Sequence, residues 1–245
     1  RQSETLSRHV FLREIIVAVK VLDLVSQYGK DPAITSSLNR FDWYIIPQVN
    51  PDGYEYSRVS DRLWRKTRSR NITINKWCVG ADANRNWGHR WGEAGANRSP
   101  CSNIYAGSRP FSEPEIVDLV TWQIPNLVIY ISLHSYGQLL LSPWGYTQAR
   151  PDNYADQVAF LKHNCKLLDR LLYRKMNITD PASGTSIDYM QDRGVPYIFG
   201  VELRPLDAYD TYAFSLPPNF IRPTGEEMLA GLIALGDYAT VHKKL

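Results

Sequence analysis

Two polar residues close apolar runs at places where chemistry could be done: His134 follows "NLVIYISL", and Glu202 stands near the end of "VPYIFGVEL". Imidazole is the commonest side-chain metal ligand, and a positioned carboxylate can move protons, so the pair is compatible with metal-assisted hydrolysis. That chemistry needs more than these two residues. Zinc would require two further protein ligands, and the substrate would need cations to hold it and the negative charge that develops on it. The basic run "RLWRKTRSR", residues 62 to 70, could supply the cations or be a solvated loop. Read alone, His134 equally suits a hydrogen-bonded rim position, and Glu202 a buried salt bridge with an arginine.

Both residues end predicted strands, and in open α/β sheets ligands gather at the carboxyl ends of strands, so the two are candidates for one site. Helical and strand-like segments alternate along the chain. This predicts an α/β fold with a mixed, mainly parallel twisted sheet flanked by helices. "FLREIIVAVKVLDLVSQYG" reads as a helix closed by Gly29, and "FDWYIIPQV" as a strand running into the turn "NPDG". Ser112 with Glu115, and Thr224 with Glu227, read as capping boxes at two helix starts. Irregular stretches rich in Gly, Pro, Ser and aromatics between Cys101 and residue 195 suit pocket-building loops.

The 245 residues, 44% hydrophobic and 22% charged, suit one large domain with a core of its own. A net charge of +3 without a long basic block gives no reason to expect nucleic acid or an anionic membrane as partner. No apolar run reaches the roughly 20 residues that span a bilayer. The first residue is Arg1, which reads as a processed product or a fragment. Three Asn-x-Ser/Thr triplets, at Asn71, Asn97 and Asn177, together favour a secreted protein. Three cysteines fit one disulfide with one thiol left over: Cys78 and Cys101 bracket a loop-rich stretch and are the natural pair, whereas Cys165 lies at helical spacing with Leu161, Leu168 and Leu172 as a buried thiol.

Six stretches, in order, carry a resemblance: "NPDGYEYSRVSDRLWRKTRS", "CVGADANRNW", "SPCSNIYAGSRPFSEPE", "SLHSYGQLLLSPWGY", "SGTSIDYMQDRGVPYIFGVELR" and "LPPNFIRPTGEE". From about residue 28 to the C-terminus the chain resembles the A/B, pancreatic-type branch of the zinc metallocarboxypeptidases. The resemblance implies a secreted, monomeric exopeptidase acting on peptides or proteins with a free C-terminus, with one zinc ion as cofactor. It makes His134 a zinc ligand, Glu202 the catalytic base and Arg65 the oxyanion-stabilising arginine. Arg62 becomes a substrate-binding residue, Asn84 and Arg85 the pair that holds the terminal carboxylate, and Tyr136 a subsite-lining tyrosine. Ile187 falls at the pocket position that sets side-chain preference. An apolar residue there implies aromatic or branched aliphatic C-terminal residues, because the basic-specific branch carries an aspartate; the neighbouring Asp188 is present in both branches.

The first zinc motif of the family, His-x-x-Glu, is absent. Counting back from "YGKDP" puts Ser7 and Val10 at its ligand positions; aligning "FLREI" instead puts Phe11 and Glu14 there, and His9 with Glu14 has a different spacing. No counterpart of the strand before that motif precedes Arg1. "YRKMNITDPASG" is shorter than the family pattern and lacks the tyrosine that closes over substrate, with Asp180 near its place. The expectation is therefore a single but incomplete catalytic domain, residues 1–245, lacking N-terminal strands. Three outcomes follow: an active carboxypeptidase, a metal-poor binder of peptide C-termini, or a truncated product without function.

Overall fold

The computed structural model describes residues 20–121, 124–164, 172–173, 181–206 and 214–243. Four described strands form one sheet in the order β1-β4-β2-β3: β1 (Ile129–Ser135), β2 (Leu139–Leu141), β3 (Leu172–Tyr173) and β4 (Tyr197–Leu203). β1 runs parallel to β4 and β2 parallel to β3, while β2 is antiparallel to β4, so the sheet is mixed and mainly parallel, as the alternation of elements implies. Besides the helical stretch at residues 20–27, six described helices accompany it: α1 (Pro32–Arg40), α2 (Pro51–Val59), α3 (Pro114–Thr121), α4 (Tyr154–Asn164), α5 (Ser186–Asp192) and α6 (Ile221–Lys243).

Alternation along β4 divides its residues between two environments. Tyr197, Phe199, Val201 and Leu203 join the largest core cluster, with Phe160 and Leu161 of α4 and Met228, Leu235, Tyr238 and Ala239 of α6. Ile198, on the other face, packs with Ile187 of α5, with Val195, and with Tyr130, its register partner on β1. Continuing along that second face, the next paired positions are Ser132 with Gly200 and then His134 with Glu202. One face of two strands thus runs from a covered apolar end to a polar end.

The expected helix ending at Gly29 is seen over residues 20–27, followed by a turn in which Gly29 takes φ +76°; its earlier part lies outside the described residues. The expected strand at residues 41–49 is not one. A strand needs a neighbour to satisfy its donors and acceptors, and this segment pairs with no described strand, leaving Tyr44, Ile45 and Ile46 exposed. "NPDG" is a helix start, not a turn: the Asn50 side-chain oxygen accepts the Gly53 N–H at 3.0 Å, and Pro51 takes the first helical position, where its missing N–H costs nothing.

Neither capping box forms. α6 begins at Ile221, so Thr224 is inside the helix and buried, and Glu227 pairs with Arg204 at 2.9 Å. The Ser112 hydroxyl donates to Glu113 one residue on, and α3 starts at Pro114. Cys78 and Cys101 are joined, as expected; Cys165 and the short stretch at residues 174–180 lie outside the described residues. No described helix is long and apolar enough to cross a membrane.

Candidate active site

His134 and Glu202 face each other in register near the carboxyl ends of β1 and β4, and Leu139 of β2 flanks Glu202 on its other side. The Ser132 hydroxyl lies 2.8 Å from Nε2 of His134, two residues back on the same face of the strand. Just past β1, Tyr136 meets Phe214 edge to face with ring centroids 4.7 Å apart, and the Phe214 carbonyl accepts a hydrogen bond from Arg62 at 2.6 Å. Arg62 and Tyr136, 74 positions apart, thus share one anchor. Gly137 closes the turn after Tyr136 by donating to the carbonyls of Leu203 and Pro205, at 3.0 and 2.9 Å, which ties the end of β1 to the end of β4.

A second group is organised by Asp82, a buried carboxylate. Its Oδ2 accepts both Nε of Arg65, at 2.9 Å, and a terminal nitrogen of the same guanidinium, at 2.8 Å, while Arg85 stands 4.0 Å away. Its Oδ1 accepts the N–H of Asn84 at 3.0 Å, which caps the short 3-10 turn Ala83–Arg85. Arg85 is fixed from two further sides, donating to the carbonyls of Gly95 at 2.7 Å and of Asn84 at 2.8 Å. Burial pulls the Arg85 guanidinium below its ordinary range, and the Asp82 charge opposes that shift.

The Asn84 side-chain oxygen accepts the N–H of Ser186 at 3.1 Å, so the turn that carries Asn84 and Arg85 is docked against the start of α5. The approach is close enough to need a glycine: Gly184 takes φ +66°, and a Cβ there would lie 2.5 Å from the Arg85 carbonyl oxygen. α5 begins with Thr185 as its cap and buries Ser186, Ile187 and Asp188. Ile187 lies over β4 at Gly200, where an added Cβ would meet its Cδ1 and Cγ2 at 3.8 Å. Gly200 and Glu202 are two apart on one face of β4, so Ile187 sits behind the residue pair at the strand ends.

Asp188 accepts the Gly145 N–H at 2.8 Å and is also bonded to the Tyr146 backbone, holding the 143–146 loop to α5. Burial raises its carboxyl to about 6 against this backbone hydrogen bonding. A raised carboxyl pKa means that the folded protein keeps a proton which the unfolded chain releases near pH 4, so this group's contribution to stability falls as pH rises through that window. Between about pH 4 and pH 6 the fall is expected to be roughly 2–3 kcal/mol. Asp188→Asn should flatten that slope in urea melts across the window; an unchanged slope would contradict the assignment.

Of the residues singled out in the sequence, the structure brings His134 and Glu202 together directly, joins Arg62 with Tyr136 through Phe214, and gathers Arg65, Asn84 and Arg85 on Asp82. Ile187 links the groups, since α5 touches both the Asn84 turn and β4. Asp82 and Phe214 were not singled out. Asp82 left one faint signal, an Asx residue two positions before Asn84 where a turn could be capped; Phe214 left none.

The donor set does not amount to a zinc site among the described residues: no group of three or more His, Cys, Asp or Glu is placed to hold a metal ion. Ser7, His9, Val10, Phe11 and Glu14 lie outside the described residues.

The zinc carboxypeptidase family profile matches residues 13–231. Carboxypeptidase A2 of Mus musculus is 41% identical over 229 residues, covering 89% of this chain and 53% of its own length. Carboxypeptidase B of Astacus astacus is 37% identical over 240 residues, with 94% of this chain and 78% of its own covered. Among solved structures, thrombin activatable fibrinolysis inhibitor superposes with a TM-score of 0.85 at 32% identity, over 94% of this chain and 59% of that one. The carboxypeptidase A of Helicoverpa armigera gives 0.74 at 30% identity, over 83% and 53%. The chain thus spans about half the length of the A-type relatives it matches.

Proposed function

The chain belongs to the zinc carboxypeptidase family, and on that premise we propose that it binds peptides and proteins by their free C-terminus and releases an apolar or aromatic last residue. The observation that carries this reading is the docking of the Asn84–Arg85 turn against the start of α5, where Ile187 is buried. A guanidinium can grip a carboxylate through two parallel hydrogen bonds, and a mid-chain amide offers no equivalent charge, so Arg85 with Asn84 distinguishes a chain end from an internal bond. Ile187 gives the neighbouring side-chain pocket an apolar base. Arg62 and Tyr136, steadied by Phe214, contact the residues upstream of the last one.

In the cleavage step Glu202 removes a proton from the attacking water and passes it to the leaving amine, and Arg65 offers positive charge to the carbonyl oxygen as it becomes anionic. No step is assigned to zinc, because the described residues do not hold it. The sequence carries no His-x-x-Glu motif, and this favours a second reading, a binder of peptide C-termini that does not cleave. The Cys78–Cys101 disulfide and the exposed triplets at Asn71 and Asn97 support export from the cell.

Hydrolysis of N-blocked dipeptides ending in Phe or Arg, with and without a chelator, tests the reading. Release of Phe well ahead of Arg, stopped by the chelator, is expected. A chelator-insensitive rate or a preference for Arg would overturn it, and binding without release would select the second reading. Ile187→Asp places a charge at the pocket base. It should lower kcat/KM for the Phe substrate by about 10- to 100-fold, the 1–3 kcal/mol that an apolar pocket contributes, while improving the Arg substrate. Equal losses on both substrates would place Ile187 outside the pocket.

A further inference from the structure

The loop at residues 71–78 takes no part in the sheet or the site, yet it holds large apolar side chains in water. Trp77 is 88% exposed, Ile72 72% and Ile74 44%. A cluster of this kind on a folded surface marks something that covers it. The same loop opens with Asn71 in the triplet Asn-Ile-Thr. The Asn71 side-chain oxygen accepts the Thr73 hydroxyl at 2.6 Å and the Thr73 N–H at 3.2 Å, and its carbonyl accepts the N–H groups of Ile74 and Asn75 at 3.1 and 3.0 Å. Asn75 repeats the arrangement, accepting the N–H groups of Trp77 and Cys78, both at 2.7 Å. Two successive Asx turns therefore shape the segment from Asn71 to Cys78, which the Cys78–Cys101 disulfide ties down at its far end.

We propose that Asn71 carries an N-linked glycan whose first sugars lie over Ile72, Ile74 and Trp77. Three features meet in this loop: an exposed acceptor asparagine whose hydroxyl partner is already hydrogen-bonded to it, apolar side chains that no described residue covers, and a disulfide of the kind that persists in oxidising compartments. The amide nitrogen of Asn71 attacks the anomeric carbon of a lipid-linked oligosaccharide. The new carbon–nitrogen bond forms as the bond to the lipid pyrophosphate breaks; the pyrophosphate leaves and the nitrogen gives up one proton. A pyranose ring presents an apolar C–H face, slightly positive at its hydrogens, which complements the negative face of an indole. The attached chain thus supplies a cover that the described residues do not.

The inference rests on the reading that the chain is exported, and the test separates the two. The full chain is secreted from a eukaryotic host behind a foreign leader, and its peptides are mapped without reduction. A glycan on the Asn71 peptide is expected, lost in both Asn71→Gln and Thr73→Ala. Acrylamide quenching assigned to Trp77, by difference from Trp77→Phe in each background, should rise when the glycan is lost. A bare Asn71 in chains whose Cys78–Cys101 bond has formed would overturn the glycan and leave the export reading standing. A bare Asn71 with both cysteines reduced would overturn both. A glycan whose loss leaves Trp77 quenching unchanged would overturn its role as a cover.

Discussion

Asp82→Ala is expected to destabilise the fold by about 3 kcal/mol and to erase the preference for a free C-terminus. Asp82 is almost wholly buried, with 4% of its side chain exposed against 44% for Arg65, so its removal takes from Arg85 the nearer of the two carboxylates that act on its charge, Asp188 being the other, while Arg65 can turn to water. That difference places the cost at the lower end of the range for broken buried pairs. Losing the cap on the Asn84 turn adds to it. For a chain of this size the melting temperature should fall by roughly 6–12 °C. Asp82→Asn keeps an oxygen for the cap but not the charge, and should fall between. A merely structural Asp82 would lower stability and leave the ratio of acid to amide affinity unmoved. On the present account that ratio collapses, because Arg85 and Asn84 lose the carboxylate that aligns them.

Glu202→Gln carries the second large effect. Glutamine is nearly isosteric and β4 is held by its core face, so the fold and peptide affinity should persist. What disappears is the ability to take a proton, and general base catalysis contributes about 10²- to 10⁴-fold. The expected result is a fall in kcat of that size with Kd for a C-terminal Phe peptide unchanged. A fall confined to affinity would make Glu202 a binding residue, and a kcat within about threefold of the parent would remove it from the chemistry.

The strand ends were legible in the sequence because alternation is written into "YIFGVEL": one set of side chains is large and apolar, while the other passes from Ile198 through Gly200 to Glu202. That pattern puts Glu202 on the face away from the core; the parallel pairing with β1 and the register that sets it opposite His134 emerged only from the fold. Residues 41–49 show the limit of such reading. Their composition suits a strand, but a strand is completed by its neighbour, and none of the described strands lies beside them. "NPDG" misled for a different reason, since Asn followed by Pro serves a helix start as well as a turn.

Asp82 was hidden for a third reason. Its partner Arg65 lies 17 positions away, and nothing local in "DANRNW" announces an ion pair. Phe214 joins Arg62 to Tyr136 across still longer separations, through a backbone carbonyl and a ring edge, neither of which has a sequence signature. The residues proposed to bind substrate could be named from the stretches that resemble the family, but the groups that hold them in place emerged only from the fold.

The central claim is that this chain reads a free C-terminal carboxylate through Arg85 and Asn84. Calorimetric titration of the chain with a short peptide ending in Phe, and with the same peptide as its C-terminal amide, tests it most directly. Hydrogen bonds to a charged group contribute about 1.5–3 kcal/mol, so the free acid should bind roughly 10- to 100-fold more tightly than the amide. Equal affinity for the two peptides, or heat from neither, would contradict the account.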